Sequence, residues 1–309
     1  MRTRPSSPLA PVQRATRVTT PSFRTRVRRW LRTPKAALTL VFLPLLLLAG
    51  ASTGWPVVAP HVIAALAGAV SVDLALGRVL RQRWHLPSSA LLSGLIVAFV
   101  LGPLEPHWVT FAVGALASGS KYLLRTRQGH VLNPAAFALL VSVPLFGTGQ
   151  SWWGALANLS PLWLLLLLAG GAFLLERLNK FPLALTFLGV YFGLFAFGVL
   201  LNPARVAELF RVPFINAACF LACFMLTDPP TSPGRREDQV CFGGLVAIVS
   251  AVAQLVGVGQ SYLLVGLLAG NLALFGRRSV SRWRAALTAA GRRASGGSTG
   301  TDRVPSPRA

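Results

Sequence analysis

Two prolines that follow a polar side chain, at Asn133-Pro134 and Asp228-Pro229, mark where this chain can do chemistry, because each stands at the edge of a short apolar run. A residue before proline is pushed into extended backbone, so the Asn133 side chain is free to cap the helix that begins at Pro134. The positive end of that helix suits an anionic group such as a phosphate, and Lys121 and His130 lie close to it in sequence. Lys121 has a second use, as a side chain that snorkels to the interface. Asp228 ends the run 214–227, where its carboxylate can cap the following turn or contact a substrate or ion. Asp73 lies late in the run 57–76 and needs a partner, a proton or a cavity, since a charge in the bilayer costs about 2.5 to 3.5 kcal/mol. It is either a proton- or cation-linked carboxylate or the partner of Arg78 or Arg81. Ser93-Gly94 supplies small residues that permit close approach of backbone or ligand.

The remaining candidates carry less. Glu105, Glu176, Glu208, Glu237 and Asp238 lie at the ends of apolar runs and read as solvated charges. Cys219 and Cys223 are four apart on one helix face and Cys241 begins the next run, a set one thiolate short of a cluster, so no metal site is expected. His61, His85 and His107 have no ligand spacing, and Gly266-Leu-Leu-Ala-Gly270 reads as helix packing. There is no phosphate-binding loop, dinucleotide fingerprint or nucleophile elbow, which argues against a stand-alone enzyme.

The elements that must position these groups are membrane helices. Of 309 residues, 53% are hydrophobic and 12% charged, and many apolar runs approach the roughly 20 residues that cross a bilayer as a helix. The net charge of +22 sits in the tails and between the apolar runs, which points to a membrane topology and away from nucleic acid. Residues 1–34 hold nine Arg and no acid, a composition that predicts disorder and is shared with organellar transit peptides. A basic tail, 277–309, is expected to be disordered likewise.

Segments are predicted at 36–53, 57–76, 88–102, 108–124, 133–146, 160–178, 181–201, 214–227, 240–258 and 260–276. With both termini in the cytoplasm of a cell (inner) membrane, 28 of the 30 basic residues fall inside, leaving only Arg205 and Arg211 outside. Displacing the chain by 126 residues lays Pro103 on Pro229 and 57–76 on 183–202. The transmembrane domain 35–276 then divides into repeats 35–158 and 159–276. Five segments per repeat make them inverted, and short Pro-ended segments at matching places point to a site between them near the midplane.

The run SSALLSGLIVAFVLGPLEPHWVTFAVGALASGSKYLLRTRQGHVLNPAAFAL resembles the region of RnfD and NqrB that reads as small residues, a proline break, a Trp, a Lys and then Asn-Pro-Ala. Phe224-Met-Leu-Thr-Asp228-Pro-Pro-Thr231 is similar to the family's Phe-Met-Ala-Thr-Asp-Pro-Val-Thr, which adds Thr231 to the candidate contacts. The resemblance covers about residues 36 to 276. It implies an all-α polytopic fold of about ten transmembrane helices in two inverted five-helix repeats with broken helices, urea-transporter-like. It also implies a role in electron transport or ion translocation, with redox or complex subunits as partners beside the lipid bilayer. Flavin carriers of the family attach FMN to a Thr in a Ser-Gly-Ala-Thr context on an extended outer loop. The loop 147–160 here is short and holds only Thr148, so covalent FMN is not expected, which leaves noncovalent flavin, FMN or riboflavin. His130-Val-Leu-Asn133-Pro-Ala-Ala is similar to the His-x-x-Asn-Pro-Ala-Ala run of UnbU-type relatives found with enediyne biosynthesis genes. Two function classes follow: an RnfD/NqrB-like electron-transport component, or a transporter or channel for a small solute or ion on the same scaffold.

Overall fold

The computed structural model describes residues 33–81, 87–126, 129–201 and 211–296. Among these, ten α-helices and one short hairpin make an all-α polytopic membrane protein. The first half holds α1 (Pro34–Thr53), α2 (Trp55–Arg81), α3 (Ser88–Val100), α4 (His107–Leu123), the hairpin β1 (Arg125–Thr126) and β2 (Gly129–His130), and α5 (Pro134–Phe146). The second holds α6 (Trp163–Leu178), α7 (Phe181–Leu201), α8 (Val212–Phe220), α9 (Arg236–Leu255) and α10 (Tyr262–Gly296). Each helix overlaps one predicted segment. Helices α1, α2, α7, α9 and α10 are long and apolar enough to cross a membrane.

Of the other five, three are the shortest. At 1.5 Å per residue, the 13 residues of α3 and of α5 reach about 20 Å, against a hydrocarbon core of about 30 Å. The third, α8, continues only through a π turn at Leu221–Met225. Backbone groups freed where such a helix stops must find partners inside the protein. Beyond α3 they find them in the loop before α6: Gly102 N donates to Gly149 O at 2.9 Å, and Ser151 N donates to Val100 O at 2.9 Å. Glu105, expected to be solvated, is drawn into this junction and accepts from Gly149 N at 2.8 Å.

Glycines set the closest helix crossings, and the two halves use them alike. A Cβ on Gly114 would stand 2.2 Å from Ala65 O, so α4 lies backbone to backbone on α2. A Cβ on Gly243 would stand 2.6 Å from Leu183 O, so α9 lies in the same way on α7. Gly266 and Gly270 seat α10 against Val246 and Ser250 of α9, the packing role that their spacing predicts. The halves meet through aromatic rings: Phe42 of α1 packs on Phe99 of α3, Phe220 of α8 and Phe224 of its π turn.

One boundary moves. Helix α10 does not end near 276 but runs to Gly296, so residues 277–296 are helical and not the start of a disordered tail. Residues 1–32 and 297–309, the rest of the two predicted tails, lie outside the described residues.

Candidate functional site

Where α5 begins, local chemistry settles the backbone. Asn133 is extended (φ −64°, ψ 120°), its Oδ1 accepts from Ala136 N at 3.1 Å, and Pro134 occupies the first turn, where no N–H is needed. The rest of the side chain ties this cap to the second half. Asn133 Nδ2 donates to Met225 O in the π turn at 3.2 Å, and Asn133 N donates to Asn271 Oδ1 at 2.8 Å. Asn271 is the tenth residue of α10, about 14 Å along it, so the start of α5 is held against the interior of that helix and not at its end. Asn271 Nδ2 donates in turn to Thr231 O at 3.1 Å.

Beyond α8 the chain turns at Asp228. Thr231 Oγ1 donates to Asp228 Oδ2 at 3.1 Å, and the ammonium groups of Lys121 and Lys180 both act on the carboxylate electrostatically. Lys121 does not snorkel. It is buried at the end of α4 and donates to Ser89 O at 2.7 Å and Ser89 Oγ at 3.2 Å, holding the first turn of α3. Lys180, between α6 and α7, is buried and donates to Pro233 O. Burial pushes its ammonium pKa below the usual lysine range, and Arg278 adds to the effect. Asp73 is buried on α2 and accepts from the Tyr122 hydroxyl at 2.9 Å, so a phenol joins the partners expected for it.

A cavity of about 580 Å³ opens between the ends of these elements. Leu92, Ile96, Leu174 and Phe224 give it apolar walls, and Ser93, Asn133, Thr227 and Asp228 bring polar groups to it. Lys35 stands at the cavity and donates to Ser88 Oγ at 3.2 Å, joining α1 to α3. Ser93, Asn133 and Asp228, predicted from separate stretches, therefore share one space. Gly94 does not line it. A Cβ there would stand 3.0 Å from Ala69 Cβ, so Gly94 belongs to the contact of α3 with α2. His130 is half-buried in the hairpin opposite Arg125, away from the cavity lining. Thr231 does not line the cavity and joins the site through Asp228 and, by its carbonyl, through Asn271. Cys219 and Cys223 are buried in the packing of α8, Cys223 against Gly171 of α6, while Cys241 is exposed on α9.

Residues 148–274 match the NQR2, RnfD, RnfE family. Over that stretch, less than half of its length, the chain is similar to this family. The match runs from the loop before α6 into α10, taking in Asp228, Thr231 and Asn271. Asn133 and Lys121 lie outside it and join the site through the contacts above. No curated protein matches the chain.

Sequence reasoning missed Asn271 and Lys180 as site residues. An Asn within the apolar run of α10 was the available signal for the first, because a polar side chain there must find a partner inside the protein. Lys180 entered only as a topological charge, and nothing near it in sequence points to Asp228.

Proposed function

We propose that this protein is an integral membrane component of an RnfD/NqrB-like electron-transport or ion-translocating system that works through the cavity between its interrupted helices. The observation that carries the reading is that Asp228, in the family-matched half, and Asn133, outside it, line one cavity. The matching glycine crossings of the two halves support an inverted repeat, and the distribution of basic residues supports cytoplasmic termini in a cell membrane. The His-x-x-Asn-Pro-Ala-Ala run favours the UnbU-type branch.

The cavity suits a noncovalent flavin, FMN or riboflavin. Its volume falls within the range of small-molecule sites, and apolar walls with a few polar groups are the usual lining for a flat ring system. Phe224, Leu92 and Ile96 would hold such a ring and exclude water, and the Asn133 and Ser93 side chains would hydrogen-bond its polar edge. A bound flavin supplies one- and two-electron transfer. Asp228 is positioned by Thr231 and balanced by Lys121 and Lys180, and it sets the charge that a reduced ligand meets. Covalent attachment at Thr148 is disfavoured, since Thr148 is buried and its hydroxyl is 2.7 Å from Ser142 Oγ.

Visible absorbance of the purified protein tests the assignment. A flavin spectrum released on denaturation is expected. A colourless protein that carries solute flux in vesicles would move it to the transporter or channel class.

A further inference from the structure

The end of α10 does work that the cavity does not require. Arg277 pairs with Asp238 in the first turn of α9 at 2.8 Å, a charged pair where the apolar stretches of both helices end. Arg278 donates to Ser232 O at 3.3 Å and is the last side chain seen to tie α10 to the body. Every described side chain from Val280 to Leu287 is exposed, although the helix continues to Gly296. A helix of this length with no partner is marginal in water.

Its exposed apolar residues are not scattered. Leu272 and Gly276 are exposed within the spanning part, on the face turned away from Asn271 and Leu274. Val280, Trp283 and Leu287 continue that row at intervals of three and four residues, so one helix face runs from the lipid-facing side past Arg277. Trp283 follows Arg277 by about 9 Å and Leu287 by about 15 Å along the helix, so the row meets a headgroup layer of roughly 5 to 8 Å when the extension tilts toward the leaflet. Arg277 and Arg284 lie along one edge of the row and Arg282 on its other side, and no acidic residue occurs between Asp238 and Asp302.

We propose that this extension of α10 is a membrane-surface element whose apolar row enters the headgroup layer of the adjacent leaflet while its arginines bind the phosphates of anionic phospholipids. Apolar contact and basic charge on one short helix are the two signals that such association needs. The lipid-facing row is continuous with this face, which favours the leaflet over a protein partner. The proposal does not depend on which compartment the face meets or on what fills the cavity.

Hydrogen–deuterium exchange of the full-length protein in nanodiscs tests it, comparing phosphatidylcholine alone with phosphatidylcholine containing phosphatidylglycerol. Amides of 280–292 should exchange about tenfold more slowly in the anionic discs, and high salt should remove the difference. The exposed double variant Arg282→Gln/Arg284→Gln should abolish it, and Trp283→Ala should weaken it in both lipids. Equal exchange in the two compositions, or protection that appears only when a second protein co-purifies, would overturn the proposal.

Discussion

Asp228 and Asn133 separate function from capping. Asp228→Asn keeps size and most hydrogen bonding but removes the carboxylate that acts on Lys180 and one of the two, with Asp73, that act on Lys121. The variant should fold and lose redox activity in its complex, or flux if the protein is a carrier; full activity would reduce Asp228 to a cap. Asn133→Ala removes the cap, worth about 1 kcal/mol, and also the bond to Met225 O. A melting temperature lowered by only the capping increment, with ligand binding intact, would leave Asn133 structural. The cap was legible in the sequence because its chemistry is local, Asn before Pro at the start of an apolar run. The partners of that cap were not, since Met225 and Asn271 lie 92 and 138 residues away and no spacing rule links them.

At the scale of elements, apolar length and breakers made all ten helices legible, and the proline-ended runs correctly marked short α3 and α8. The end of α10 was hidden because an exposed helix rich in Arg and Ala reads as a solvated tail. The crossing of α2 with α4 gives a sharp stability test. A Cβ on Gly114 would stand 2.2 Å from backbone that cannot rotate away, so Gly114→Leu should lower yield of folded protein and shift the helices that position Lys121. Gly119→Ala, with only Val72 Cγ1 nearby at 3.8 Å, should be near neutral in the same thermal assay. Comparable losses from both would mean that the crossing is looser than its glycines require.

For the whole molecule, the charge distribution, with 28 basic residues assigned to one side, predicts that both termini and the Arg235-Arg236 stretch face the cytoplasm. A thiol placed at Arg236 in a cysteine-free background should be closed to an impermeant reagent in intact cells and open after lysis. Labelling from outside would invert the topology. The central claim, that the cavity between the interrupted helices is the working site, is met most directly by titrating the purified protein with riboflavin and FMN and following quenching of flavin fluorescence. Saturable quenching is expected for the wild type, and Leu92→Trp, which fills the cavity from its apolar wall, should abolish it while the protein stays folded. Quenching unchanged in Leu92→Trp, or no binding in a wild-type protein that conducts solute, would contradict the account.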